Sequence, residues 1–355
     1  MKKLYTFITL LSLTITIAQN GAPASPYYNG FNWTLNGIAL RDALATKITN
    51  THTNFLTYSD VWSALQIVDL DPANSANVLL VYGWENGTDG DATNDRYRDK
   101  NNNGGSNGQW NREHIFVQSL GDPDLGQIGP GSDAQMLRAC DVQRNANRGN
   151  KMFGVGSGNS ASVGLNWYPG DEWKGDCARI VMYMYLRYGS QCLPTFVFTG
   201  STVASDANML DLLLQWNAED PISQYEDNRN TYLGSASNTY GQGNRNPFID
   251  NPYLATVIWG GPAAQNRWPT LETTSFTSIE NATVYPNPSN GNVTIETDLI
   301  VDAIQLISIN GQLKIEYSNP VFQNNSFNMS NLPKGFYFLK LSSENQSTTK
   351  KIIIN

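Results

Sequence analysis

Hydrophobic and polar positions alternate with different periods along the chain. Residues 171–187 begin with acidic side chains, keep apolar residues at helical spacing and run up to Gly189, which predicts a helix that ends there. Residues 209–216 predict a second helix, and the unbroken apolar run 78–82 predicts a buried strand. Because strands and helices do not alternate regularly, the pattern favours the α+β class for this part of the chain.

The pattern changes near the C-terminus. Residues 269–282 are rich in Thr and Ser and lack periodicity, which is typical of a linker. Beyond them, short alternating runs predict strands at 292–296, 303–309, 312–317 and 335–342. Asn310-Gly311 between two of these runs predicts a hairpin turn. We therefore expect residues 283–355 to form a small all-β sandwich domain.

The N-terminus has the pattern of a secretory signal peptide. Lys2 and Lys3 precede an uncharged, largely apolar stretch at 4–17, and the residues up to Ala18 resemble a cleavage site. We expect residues 1–18 to be the signal peptide and residues 19–268 to be the active domain. No later apolar run is long enough for a membrane span, so we expect no stable membrane insertion. Export would also take the chain into an oxidising compartment, which favours a disulfide among its cysteines.

Composition limits the chemistry. The 355 residues carry a formal net charge of −8, which disfavours nucleic-acid binding through overall charge but leaves room for a local basic groove. The 2 histidines, His52 and His114, exclude a site with three histidine ligands. The 3 cysteines allow one disulfide, and spacing leaves the pairing among Cys140, Cys177 and Cys192 open.

Two segments concentrate polar chemistry. The first is Trp110-Asn111-Arg112-Glu113-His114, and the second covers residues 141–151. If the second is helical, Asp141, Asn145 and Arg148 share one face. If Glu113 and His114 end a strand, their side chains point in different directions, so one can hold a metal while the other faces a water.

These residue types suit hydrolysis of a phosphodiester. Oxygen ligands from Glu113 and Asn145 favour Mg²⁺, and Ca²⁺ or Mn²⁺ would also fit. His114 is a candidate general base for the attacking water. A nearby arginine can pair with the scissile phosphate in bidentate fashion. An incidental Glu-His pair at a strand end is the alternative explanation.

A longer set of motifs resembles the endonuclease I family of secreted bacterial nucleases. The motifs occur in order as Trp110-Asn111-Arg112-Glu113-His114, Ser132-Asp133, Leu137-Arg138, Asn145 with Arg148-Gly149-Asn150, Lys174-Gly175-Asp176, Gln215-Trp216, Asp220-Pro221 and residues 244–250. The resemblance implies a ββα-metal core, with His114 as general base and Glu113 and Asn145 as ligands of one Mg²⁺. It also implies sequence-nonspecific cleavage of DNA, and of RNA, to 5′-phosphate ends. Arg148, on the ligand-bearing helix, is a further catalytic candidate by position.

The chain departs from that family pattern at a few positions. Gln135 and Met136 stand where histidine or asparagine is usual, and Asn217 replaces a histidine. None of them is a proposed base or ligand, but hydrogen bonds that support the site could be lost with those histidines.

The C-terminal residues resemble a second family. Residues 284–288 (VYPNP) with Gly291, residues 332–337 (LPKGFY) and residues 349–354 (TKKIII) match the C-terminal sorting domain of type IX secretion cargo. The resemblance implies that the type IX secretion machinery is a partner and that the product is secreted or attached to the cell surface.

Charge permits a nucleic-acid substrate locally. Residues 96–190 carry eleven basic and nine acidic residues, a net +2. We expect Arg112, Arg144 and Lys151 to bind substrate, and we expect salt-sensitive binding by a monomer. A solvated helix face is the alternative explanation for the basic cluster.

Other polar features have simpler explanations. His52 has no ionisable neighbour, so we interpret it as an incidental, partly exposed histidine. Residues 89–95, rich in aspartate, could bind Ca²⁺, but a polar turn is the favoured interpretation.

Two further hypotheses stay open on the sequence alone. A non-catalytic adhesion or nucleic-acid-binding surface protein would explain the missing histidines. A phosphodiesterase acting on small molecules would use the same chemistry.

Overall fold

The computed structural model describes residues 23–268, 282–297, 299–323, 325–343 and 346–355. The predicted signal peptide lies outside these residues, as does nearly all of the predicted linker. The described residues fall into two compact units, one up to residue 268 and one from residue 282.

The first unit mixes helices with short antiparallel strands. Its helices are α1 (Gly37–Thr51), α2 (Asp60–Val68), α3 (Val142–Arg148), α4 (Lys174–Tyr188), α5 (Asp211–Glu219), α6 (Gln224–Leu233), α7 (Pro247–Asp250) and α8 (Tyr253–Trp259). Its strands are β1 (Leu70–Asp71), β2 (Asn74–Leu79), β3 (Tyr97–Asp99), β4 (Trp110–His114), β5 (Leu137–Asp141), β6 (Ala161–Val163), β7 (Asn166–Tyr168), β8 (Thr202–Val203) and β9 (Asp206–Leu210). This mixture confirms the α+β class.

The two predicted helices and the predicted strand are present with shifted bounds. Helix α4 is almost wholly buried and ends at Tyr188, and the next residue, Gly189, caps it with a φ of +58° that glycine readily adopts. The segment 209–216 divides, because residues up to Leu210 pair as β9 and the helix α5 begins only at Asp211. The run 78–82 is buried throughout, but β2 ends at Leu79.

A strand, loop, strand and helix form the part of this unit that matters most. Strands β4 and β5 pair antiparallel, with Glu113 opposite Arg138 and His114 opposite Leu137. Helix α3 follows β5 directly, and the Asp141 side chain caps it by accepting a hydrogen bond from the Arg144 amide. This is the ββα order that the family resemblance implies.

The run after β2 packs alongside the same hairpin. The Val81 amide donates to the Ala139 carbonyl of β5 at 2.9 Å. This contact brings Tyr82, the last residue of the run, next to β4. The apolar pattern of residues 78–82 thus positions an aromatic hydroxyl beside the ββα segment.

The second unit is all β. Its strands are β10 (Thr283–Tyr285), β11 (Val293–Glu296), β12 (Ala303–Ser308), β13 (Leu313–Ser318), β14 (Ser326–Met329), β15 (Gly335–Ser343) and β16 (Gln346–Ile354). They form sheets of order β10-β11-β14 and β13-β12-β15-β16, whose buried apolar residues share one core. Strands β12 and β13 pair across Asn310-Gly311, where Gly311 has φ +82°, which confirms the predicted hairpin.

The cysteines correct one expectation. Cys140, Cys177 and Cys192 are all buried free thiols, so the disulfide that secretion made plausible is not formed. Burial raises the pKa of each thiol. The Cys140 thiol donates to the Val81 carbonyl at 3.4 Å, as a small core residue does.

Length and apolarity distinguish a membrane-spanning helix from other helices. Over the described ranges, no helix combines the length and the apolar character that crossing a bilayer requires.

Candidate active site

A cleft of about 380 Å³ lies between β4 and α3. Its lining includes Arg112, Glu113, His114, Asn145, Arg148 and Asn150. We refer to it as the β4–α3 cleft. It brings together the predicted base, both predicted metal ligands and two of the predicted arginines.

Glu113 is buried and held from two sides. Its Oε1 accepts a 2.9 Å hydrogen bond from the Tyr82 hydroxyl and lies 3.5 Å from Nη1 of Arg148. Burial raises the pKa of the Glu113 carboxyl, while Arg148 and Tyr82 act in the opposite direction. Because both contacts engage Oε1, Oε2 is the oxygen left to bind a cation.

Asn145 is oriented by a second asparagine. Its Nδ2 donates to Oδ1 of Asn111 at 2.8 Å. With the amide nitrogen engaged on β4, the Asn145 oxygen is the atom available to a cation in the β4–α3 cleft. Asn111 and Glu113 are two residues apart on β4, so one strand face supports both predicted ligands.

His114 is fixed at one ring nitrogen. Its Nε2 lies 3.0 Å from the Gly131 carbonyl oxygen, which can only accept, so Nε2 carries the proton and Nδ1 is the basic nitrogen. Burial, together with the charges of Arg112 and Arg148, lowers the pKa of His114 to about 4, although the Gly131 bond acts in the opposite direction. The ring is therefore neutral near pH 7. A side chain at Gly131 would collide with the Gly126 carbonyl, so glycine is needed there.

Alternate residues of β4 interleave with two aromatic rings to form a stacked ladder. In order, its members are Trp110, Trp62, Arg112, Tyr58 and His114. The Trp110 and Trp62 rings are 5.4 Å apart, and the Arg112 guanidinium lies 4.2 Å from Trp62 and 3.5 Å from Tyr58. The Tyr58 ring stacks on His114 at 5.6 Å. The ladder fixes one face of the imidazole.

Arg112 is committed to this ladder. Its Nη1 also donates to the Tyr58 carbonyl. Burial lowers its pKa. The arginine that we expected to bind substrate lines the β4–α3 cleft, but its guanidinium plane is covered on both faces.

Arg148 is also placed differently from our expectation. Its side chain is 2% exposed, and Nη1 and Nη2 donate to the carbonyls of His114 and Ile115 at 3.1 and 2.9 Å. The guanidinium lies 4.9 Å from the Phe153 ring centroid. These contacts occupy Nη1 and Nη2, the two nitrogens with which the guanidinium would bind a phosphate. The geometry therefore favours a role for Arg148 in positioning the end of β4.

The two remaining basic residues lie outside the lining of the β4–α3 cleft. Arg144 donates to the carbonyls of Thr93 and Ser160 and sits 4.3 Å from the Trp84 ring centroid. The Lys151 ammonium donates to the Asn147 carbonyl at 2.5 Å. Neither residue stands among the cleft-lining side chains as we expected of a substrate-binding residue.

Four supporting residues were missed in the sequence. Asn111 lies inside the recognised motif, and Tyr82 ends the apolar run, so each had a weak signal. Tyr58 and Gly131 had none, because their roles depend on packing between distant segments. Each contacts a predicted site residue directly.

The family departures lie in the buried interior rather than at the β4–α3 cleft. Gln135 donates to the Asn244 carbonyl at 3.1 Å, and Asn217 donates to the Pro252 carbonyl at 3.0 Å. Met136 is fully buried. These replacements therefore leave the cleft lining itself unchanged.

His52 differs from our expectation, because it is only 6% exposed. It is not among the residues that line the β4–α3 cleft.

The acidic loop is a polar turn, as interpreted. The Asp91 amide donates to Asp89 and the Thr93 amide to Asp91. Across the part of the chain that the structure describes, no three His, Cys, Asp or Glu side chains gather in a metal-binding group.

Comparison with known families and proteins agrees with both resemblances. The model of the endonuclease I family matches residues 36–253, and the model of the secretion system C-terminal sorting domain matches residues 283–355. The first match contains the whole β4–α3 cleft. The second contains every described strand of the second unit.

Two curated relatives are similar to this chain over most of its length. An extracellular ribonuclease of Bacillus amyloliquefaciens is 41% identical over 234 residues, which cover 63% of this chain and 75% of the relative. An extracellular ribonuclease of Bacillus subtilis (strain 168) is 40% identical over 262 residues, covering 69% and 84%.

Proposed function

The chain belongs to the endonuclease I family, and from that premise we propose that the β4–α3 cleft hydrolyses phosphodiester bonds of RNA and DNA with one Mg²⁺. The coarser statement, a secreted or cell-surface nuclease with a C-terminal sorting domain, already follows from the family matches. The assignment of roles goes further. Glu113 and Asn145 hold the cation, His114 is the general base, and cleavage leaves 5′-phosphate ends.

One observation supports this proposal most directly. Glu113, His114 and Asn145 line a single cleft, and each has its other polar atom engaged by a neighbour. Tyr82 engages Glu113, Gly131 engages His114, and Asn111 engages Asn145. The atoms left free are Oε2 of Glu113 and the amide oxygen of Asn145, which can bind a cation, and Nδ1 of His114, which can accept a proton from water.

The donor set suits a hard divalent cation. One carboxylate and one amide oxygen are typical of Mg²⁺, which keeps waters and takes phosphate oxygens in its other positions. When bound, Mg²⁺ stabilises the negative charge that develops on the phosphate and the departing 3′-oxygen. Ca²⁺ and Mn²⁺ take the same donors. Of the two proposed protein ligands, Glu113 would carry a charge and Asn145 would be neutral.

His114 performs the proton transfer. The Gly131 bond fixes the tautomer, so Nδ1 of the neutral ring accepts a proton from the attacking water. The Tyr58 ring limits rotation of the imidazole. Arg148 binds the His114 carbonyl and approaches Glu113, so it holds the base and the ligand in one arrangement. We therefore assign Arg148 a positioning role.

The substrate is proposed as RNA and DNA without base preference. Both relatives are extracellular ribonucleases by name, which supports RNA. The net charge of −8 makes long-range attraction weak, so binding should depend on contacts near the cleft. We propose that the sorting domain directs export of a monomer through type IX secretion.

The test compares two glutamates and one histidine. Purified His114→Ala and Glu113→Gln should lose at least a hundredfold in digestion of RNA and plasmid DNA, as should the wild type in EDTA. Glu219→Gln, which alters an exposed glutamate paired with Lys174, is the matched control and should retain activity. Unchanged activity of His114→Ala with native circular dichroism would refute the role of the base.

A further inference from the structure

We propose that Phe55, backed by His52, is a stacking platform for an unpaired base of the substrate beside the β4–α3 cleft. The proposal rests on the proposed function and narrows it, because a base can stack on this ring only when it is free of a duplex partner. We call the pair of rings the Phe55 platform.

Phe55 is unusual in its exposure. Its side chain is 63% exposed, whereas the other Phe, Tyr and Trp side chains described between residues 23 and 268 are buried or half-buried. The Tyr58 ring lies between the Arg112 guanidinium and the His114 ring. The Trp62 ring contacts Arg112 and lies 5.4 Å from the Trp110 ring, which is inclined to it by 56°. Phe55 thus offers an aromatic face that its neighbours do not.

The inner face of Phe55 is supported by a flat partner. Its ring stacks on the His52 imidazole with centroids 4.6 Å apart and planes inclined by 15°. Nδ1 of His52 accepts a hydrogen bond of 3.2 Å from Nε of Arg187. A base added to the outer face would continue this stack, and Arg187 provides positive charge at its edge for the phosphates.

The backbone on both sides of Phe55 is held by hydrogen bonds. The amides of Thr53 and Asn54 both donate to the Gln242 carbonyl, at 3.0 and 3.2 Å. On the other side, the Leu56 carbonyl accepts from Ser132 at 2.8 Å. The exposed ring is therefore presented by a fixed segment, which lowers the entropy lost on binding.

The same segment leads to the catalytic base. Tyr58 follows Phe55 by three residues, so their Cα atoms are at most about 11 Å apart. Tyr58 stacks on His114, and Ser132 adjoins Gly131, which binds His114. A strand whose phosphate lies in the β4–α3 cleft can therefore place a nearby base on Phe55.

The experiment separates stacking from simple apolar contact. Phe55→Trp and Phe55→Leu are compared with wild type for anisotropy binding of a fluorescein-labelled single-stranded oligoribonucleotide in EDTA. The same proteins are assayed for RNA digestion with Mg²⁺. Leu165→Ala, which removes a 91% exposed apolar side chain from the β6–β7 turn, is the control.

Stacking predicts a specific ranking. Phe55→Leu should bind the single strand roughly tenfold more weakly and raise KM without lowering kcat, whereas a duplex of the same sequence should be affected much less. Phe55→Trp should bind like wild type, and Leu165→Ala should be unchanged.

Equal binding by Phe55→Leu and wild type, or an equal effect on single strand and duplex, would overturn the platform. The proposed function fails separately, if the wild type digests no nucleic acid with any divalent cation. The binding comparison still decides the platform in that case.

Discussion

The hydroxyl of Tyr82 donates a 2.9 Å hydrogen bond to Oε1 of Glu113, the proposed carboxylate ligand. Tyr82 has φ +74°, a left-handed conformation that costs about 1–3 kcal/mol in a bulky residue. The surroundings hold it there, because Ser160 donates to the Tyr82 carbonyl at 2.6 Å and Trp173 donates to the Gly83 carbonyl at 2.8 Å. A strained backbone thus directs one hydroxyl at the carboxylate.

This contact predicts weaker metal binding in Tyr82→Phe. Loss of the hydroxyl frees the Glu113 carboxylate to rotate and should weaken Mn²⁺ affinity about tenfold to a hundredfold, as measured by calorimetry on the purified protein. Tyr97→Phe removes a hydroxyl bonded to the Asn86 carbonyl and serves as control. Unchanged affinity in Tyr82→Phe would argue against Glu113 as a ligand oriented by Tyr82.

The stacked ladder predicts that Arg112→Lys lowers kcat more than it raises KM. Lysine keeps the charge but lacks the planar group that separates Tyr58 from Trp62, so the Tyr58 ring and the His114 ring lose their support. A fall in kcat of roughly tenfold or more is expected from misplacement of the base. If Arg112 instead binds phosphate, KM will rise and its dependence on salt will change.

Arg148→Met should be strongly destabilising. The substitution removes a buried cation and leaves Glu113 without its charge partner, which typically costs about 3–5 kcal/mol in the free energy of unfolding. Urea denaturation of the metal-free protein measures the loss. A variant that is inactive but fully stable would support contact with the phosphate instead.

The sequence predicted the elements of the site better than the contacts within it. A strand ending at His114 and a helix carrying Asn145 and Arg148 follow from local pattern and motif, and both are present. Which arginines face substrate depends on tertiary burial, so the local pattern does not indicate that Arg112 and Arg148 are engaged by rings and carbonyls. Periodicity carries no information about such long-range partners.

The buried thiols predict a clear result with Ellman's reagent. The native protein should show almost no reaction, because Cys140, Cys177 and Cys192 are buried and burial raises the pKa of each thiol. The protein unfolded in guanidinium without reductant should release three equivalents. One equivalent, rising to three only after reduction, would reveal a disulfide.

The buried His52 predicts that acid weakens the first unit. Burial, followed by the Arg187 charge, lowers the pKa of His52 from its usual value near 6.5, while Asp133 opposes the shift. Below about pH 6.5 the unfolded chain binds a proton that the folded chain does not. The free energy of unfolding therefore decreases as the pH is lowered, by at most about 1.4 kcal/mol per pH unit from this group. His114→Ala leaves His52 as the remaining imidazole of the 2, so its NMR titration can be followed alone. The expected midpoint lies below about 6.5, and a midpoint at or above that value would contradict this account. His52→Gln keeps an acceptor for the Arg187 hydrogen bond but does not titrate. Its stability should therefore depend less on pH between about pH 5.5 and 7 than that of the wild type.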